Sequence, residues 1–85
     1  MITDEFFDVV LDELESWNPD GLEVETYHDE RLEVRGYFDR TAEDYLLTWG
    51  DEMAEYLRKQ GGVYDASFDM LGSVDGESTL IWECY

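Results

Sequence analysis

Four carboxylates recur at helical spacing near the start of the chain: Glu5, Asp8, Asp12 and Glu15. At about 100° per residue they fall within roughly 80° of one another. Asp4 lies beside them, and Phe6, Val9, Val10, Leu14 and Trp17 fall on the other side. Acids presented in a row by one helix attract cations, basic side chains above all. A surface helix usually interleaves Glu with Lys, because like charges at i,i+4 repel by about 0.2–0.5 kcal/mol per pair. No Lys or Arg occurs before Arg31, so nothing inside this helix relieves the repulsion. Either a partner or the solvent must do so.

Other residue types offer less. His28 and Cys84 are the single histidine and cysteine. A Cys-His pair can form a nucleophile, but His28 falls in a predicted loop and Cys84 on a predicted buried face. A structural thiol is the expectation. One Cys and one His give no zinc spacing and no internal disulfide. The run Asp65-Ala66-Ser67-Phe68-Asp69 is faintly like a calcium loop. Met70 stands where such a loop needs glycine, however, and Gly76 where it needs glutamate. A polar strand face accounts for it better. Gly61-Gly62 follows a predicted helix, so no phosphate-cradling loop is formed. Among 23 carboxylates, a pair of acids does not by itself mark acid–base catalysis. The expectation is a non-enzymatic protein with no catalytic residue, cofactor or metal site.

The charge is the dominant feature. Five bases against 23 acids give −18. Residues 1–30 hold eleven acids and no base, residues 31–59 hold seven acids and all five bases, and residues 60–85 hold five acids and no base. Such a field repels nucleic acid and anionic membrane, and attracts basic proteins. Direct nucleic-acid binding is excluded, because it needs Lys and Arg on the phosphates. The chain is nonetheless 44% hydrophobic and 15% aromatic, too apolar for a disordered acidic tail. No run approaches the length of a membrane span. Met1-Ile2-Thr3-Asp4 lacks the basic start and apolar run of a signal peptide. A cytoplasmic protein is expected.

These residues must be positioned by six elements. Thr3 is placed to cap the first helix, Asp4 to Glu15, with acids in its first turn. Asn18-Pro19-Asp20-Gly21 stops it. Leu22 to Tyr27 and Arg31 to Phe38 alternate around a short polar loop, which predicts a β-hairpin with one wet face. There Arg31 and Arg35 can sit across from Glu23 and Glu25. Thr41 and Asp44 resemble a capping box. Ala42, Tyr45, Leu46, Trp49, Met53, Tyr56 and Leu57 then form an apolar stripe. Asp44, Asp51 and Glu55 lie opposite the stripe. Arg58 and Lys59 fall at i+3 and i+4 from Glu55, and Gly61-Gly62 ends the helix. Val63 to Leu71 and Glu77 to Tyr85 form a second hairpin near Asp75-Gly76. Its inner face is predicted to carry Tyr64, Ala66, Phe68, Met70, Leu80, Trp82 and Cys84. Tyr27, Tyr37 and Tyr85 are expected on the wet face beside Ile81.

The predicted order is α-β-β-α-β-β in a single acidic α+β domain, residues 1–85. Its simplest packing is a four-stranded antiparallel sheet with both helices on one face. The same order follows from moving the first strand of a ferredoxin-like fold to the C-terminus.

In size, charge and compactness the whole chain resembles the acidic DNA mimics of phages and mobile elements, the anti-CRISPR and anti-restriction inhibitors. No motif carries the resemblance, and those inhibitors share no fold. The resemblance implies an inhibitor that occupies the nucleic-acid groove of a basic nucleic-acid-binding defence protein. The contact residues would be Glu5, Asp8, Asp12 and Glu15, extended by Asp44, Asp51 and Glu55. Glu5 to Glu15 spans about 15 Å, against a phosphate roughly every 3.4 Å along each DNA strand. A second acidic surface is the sheet face with Asp65, Asp69 and Glu83. Two other readings suit the same composition: a domain adapted to a high-salt cytoplasm, and an acidic adaptor or chaperone for a basic protein. The oligomeric state is left open.

Overall fold

The structure is a computed structural model. It describes residues 2–16, 20–27, 30–38, 43–72 and 76–85, with backbone alone at 20, 22 and 25–27. Several expectations lie outside these residues: Trp17 on the apolar stripe, the stop at Asn18-Pro19, the loop at His28-Asp29, the Thr41 cap with Ala42, and the turn residue Asp75.

The element order is α1 (Asp4–Ser16), β1 (Asp20–Tyr27), β2 (Arg31–Tyr37), α2 (Glu43–Arg58), β3 (Ala66–Gly72) and β4 (Glu77–Cys84). Thr3 caps α1 as its position predicts. Its Oγ1 accepts the Phe6 amide at 3.1 Å, and its carbonyl accepts the Phe7 amide. That satisfies donors a helix start otherwise leaves bare. At the far end of α2 the chain tightens, with Lys59 and Gln60 amides donating three residues back. Gly62 then takes a φ of 86°, which glycine adopts without strain.

The strands form one antiparallel sheet in the order β1-β2-β4-β3. β2 and β3 therefore run parallel with β4 between them, and α2 is their crossover. Parallel strands require such a long connection. This is the strand order obtained when the first strand of a ferredoxin-like fold is moved to the C-terminus.

Both helices lie on the same face, and Trp82 shows it. From α1 the Phe6 ring meets the Trp82 indole edge-on at 6.1 Å, and from α2 Trp49 does so at 5.5 Å. On the neighbouring strand Phe68 packs against Trp82 at 5.0 Å. Around this centre Val10, Leu14, Leu32, Val34, Leu46, Leu57 and Leu80 are fully buried.

The apolar stripes are narrower than their sequence patterns. Val9 is 38% exposed and Tyr45 56% exposed. Val9 lies about 60° outside the arc of Phe6, Val10 and Leu14, and Tyr45 about 40° beyond Trp49. A sheet covers only the middle of each helix face. Ile81 departs in the other direction. It lies on the face away from the helices, yet is buried, because β4 is an interior strand with Glu33 and Asp69 in register on either side.

Candidate functional site

α1 presents its acids to solvent. Phe6, Val10 and Leu14 bury completely and fix the rotation of the helix. Asp4, Glu5, Asp8, Asp12 and Glu15 are consequently exposed. None of them makes an ion pair with any of the described residues. The one side-chain partner among them is neutral: Glu5 Oε1 accepts the Tyr56 hydroxyl at 3.0 Å. That bond holds the Tyr56 phenol above its ordinary pKa of 10.0; partial burial and the Glu5 charge add to the rise, and Gln60 opposes it. Phe6 and Tyr56 stack one residue away, at 6.2 Å, so this contact joins the start of α1 to the end of α2.

The acids of α2 divide. Asp44 and Asp51 are exposed and, among the described residues, unpaired. Glu55 is held by Arg58 Nη1 at 2.7 Å. Arg58 also donates from Nε to Asp65 Oδ1 at 3.2 Å and to the Ala66 carbonyl at 2.9 Å. It clips α2 to the start of β3, and Glu55 is compensated in the process.

The outer sheet face is mixed in charge. Arg35 reaches Glu23 at 3.4 Å across the β1–β2 ladder, as the alternation predicts. Arg31 pairs along its own strand with Glu33 at 3.4 Å. The Glu25 side chain, its expected partner, lies outside the described residues; in register Glu25 faces Glu33. Asp69 and Glu83 are exposed on this face, with Arg31 in register beside Glu83. A basic groove would therefore meet cations here as well as anions.

The expected tyrosine patch is split. Tyr37 is exposed opposite Glu77 at one end of the sheet, while Tyr85 follows Cys84 at the other. Eight residue steps along β4, from Glu77 to Tyr85, separate those ends, about 26 Å. The Tyr27 side chain lies outside the described residues. Tyr85 pairs instead with Tyr64, ring centroids 5.8 Å apart. Sequence alternation had put Tyr64 on the inner face, but β3 begins only at Ala66, and Tyr64 is 85% exposed. The register of the second hairpin carried past Ala66–Cys84 sets Asp65 opposite Tyr85. A ladder continued to Tyr64 would still turn its ring to the inner face, so the pairing follows only from β3 beginning at Ala66.

The faint calcium-loop residues follow an extended strand. The Asp65 carboxylate takes Arg58 and the Ala66 amide, and Asp69 takes the Met70 amide. Among the described residues no three metal-ligating side chains gather. The Cys84 thiol is buried, and His28 lies outside the described residues. No helix among the described residues is long and apolar enough to cross a membrane.

Compared with known protein families, curated proteins and solved structures, the chain matches none of them.

Proposed function

We propose that this protein is a non-enzymatic inhibitor that mimics the charge of nucleic acid and blocks the binding groove of a basic host defence protein, a CRISPR effector or a restriction enzyme. One observation carries the reading. The exposed face of α1 holds Asp4, Glu5, Asp8, Asp12 and Glu15 with no ion pair among the described residues. The sheet face, by contrast, interleaves acids with Arg31 and Arg35. A groove built from Lys and Arg to hold phosphates is complementary to the first surface and not to the second.

In this mechanism the groove's cations replace water around the α1 carboxylates. Their mutual repulsion, which the free protein bears, is relieved in the complex. Asp44 and Asp51 extend the surface along α2. Glu55 contributes less, because Arg58 already neutralises it.

The test is a double charge reversal, Asp8→Lys with Asp12→Lys, in DNA-cleavage assays against a panel of purified CRISPR effectors and restriction enzymes. The wild type should inhibit at least one, in competition with DNA. The double variant should inhibit that target more weakly while melting at the same temperature or higher. Unchanged inhibition by the double variant would remove α1 as the contact surface. Failure of the wild type to compete with DNA for any target would remove the mimic reading.

A further inference from the structure

Tyr64 and Tyr85 form an exposed aromatic pair that the fold does not need for its core. Tyr64 is 85% exposed and Tyr85 67%, so the rings contribute little burial to stability. Their backbone is nevertheless fixed. The Tyr64 amide donates to the Tyr85 carbonyl at 2.6 Å and the Asp65 amide to the same carbonyl at 3.2 Å. The Tyr85 amide returns a bond to the Asp65 carbonyl at 3.1 Å. The rings tilt 33° to one another at 5.8 Å. Beside them the Asp65 carboxylate lies 3.5 Å from the Tyr85 hydroxyl. Exposed carboxylates of Glu83 and Glu30 lie close in the chain to residues of the same sheet end, where the Cys84 amide binds the Glu30 carbonyl. Arg58 and Arg31 are the cations at this end: Glu55 and Asp65 hold the first, and the second pairs with Glu33 and lies in register beside Glu83.

Large aromatics held out in water on a fixed backbone lose little entropy when a partner covers them, and tyrosine is enriched among residues that dominate binding energy. Charge decides what covers this pair. A second copy would bring another −18 against the first. Nucleic acid, which could stack on such rings, is repelled by the same field. A cation is drawn in, and tyrosine faces attract one through their negative quadrupole. Of the two basic side chains, the planar, weakly hydrated guanidinium stacks on an aromatic face and still donates to a carboxylate; a compact ammonium suits this poorly.

We infer that the exposed faces of the Tyr64–Tyr85 pair are a docking site for an arginine side chain of a basic protein partner. The inference rests on the proposed function for the partner's basic character and adds a second contact, at the Cys84 end of the sheet. α1 would supply charge, and this pair would discriminate arginine from lysine.

The probes are a blocked Arg-Gly-Arg-Gly-Arg peptide and its lysine counterpart, titrated into the whole protein while the Tyr64 and Tyr85 ring signals are followed by NMR. The arginine peptide should shift both sets of signals and bind more tightly than the lysine peptide. Tyr64→Ala, at so exposed a position, should fold normally and weaken arginine-peptide binding about 2- to 30-fold, while Tyr64→Phe should retain it. Equal binding of both peptides, indifferent to Tyr64→Ala, would overturn the inference, and so would ring signals that never move. The two readings fail separately. Cleavage assays with no inhibited target would sink the mimic even where the arginine peptide binds at Tyr64, and a target inhibited equally by wild type and Tyr64→Ala, with no peptide shift, would sink only the docking site.

Discussion

The Trp82 indole Nε1 donates a 3.0 Å hydrogen bond to the main-chain carbonyl of Gly50. The bond fastens the middle of α2 to the central strand β4, and it depends on close approach. A Cβ at Gly50 would collide with the Phe68 ring, so glycine is what lets helix and sheet come this near.

Gly50→Ala should therefore destabilise the fold, although alanine is the better helix former by about 1 kcal/mol. Phe68 packs against Trp82, so moving its ring disturbs the centre of the core. Overpacking of this kind costs about 1–3 kcal/mol. Urea denaturation followed by tryptophan fluorescence would measure it. A variant as stable as wild type would mean that Phe68 swings aside freely.

The reason for Gly50 was not legible in the sequence. Within one helix a glycine reads only as a weak point; its use is set by Phe68 on a strand that follows later in the chain. Local signals fared better. Thr3, the two alternating hairpins and the stripe from Leu46 to Leu57 depend on neighbours within a turn or a strand pair, and the element order followed from them. Tyr64 and Ile81 show where alternation runs out. It assigns a face but does not say where the strand begins, which is Ala66, nor that an interior strand buries even its outward residues. The exposed acids of α1 were readable because Phe6, Val10 and Leu14 leave that helix one way to turn. That Glu5 among them carries an internal partner was not. The Tyr56 bond to Glu5 joins residues on two different helices.

Thr3→Ala tests the clearest local signal. It removes the oxygen that accepts the Phe6 amide at 3.1 Å, and losses of such caps cost about 0.5–2 kcal/mol. Thr3→Ser should restore most of the stability, since it keeps the acceptor. Equal melting temperatures for wild type and Thr3→Ala would show that the Thr3 carbonyl bond to Phe7 holds the helix start alone.

The Glu5–Tyr56 bond predicts an alkaline effect. The phenol is raised above 10.0 in the folded protein, first through its hydrogen bond to Glu5. A raised folded value means that the folded state holds the proton more tightly than the unfolded chain. The contribution to stability is then fully present below the unfolded value of about 10 and is lost as pH rises through the higher folded value. Glu5→Gln removes the charge that opposes ionisation. Its Tyr56 ring-carbon signal should titrate at lower pH than in the wild type. Identical titration curves would mean that the carboxylate does not govern the phenol.

Salt separates the remaining accounts of the charge. In α1 the pairs Asp4–Asp8, Asp8–Asp12, Glu5–Asp8 and Asp12–Glu15 stand three or four residues apart. Each repels by about 0.2–0.5 kcal/mol, so together they cost on the order of 1 kcal/mol, small beside the several kcal/mol that hold a domain folded. The core around Trp82 should carry that burden without help. Far-UV circular dichroism in dilute buffer should accordingly show a folded α+β protein, with a melting temperature that rises modestly as salt screens the acids over a Debye length of about 10 Å at 0.1 M. Competition with DNA for a basic partner should weaken over the same range, because screening that helps the free protein removes the attraction that binds it. A chain that folds only near molar salt would instead place the acids in the service of a brine. The α1 surface would then lose its claim as a binding face, whatever its resemblance to a row of phosphates.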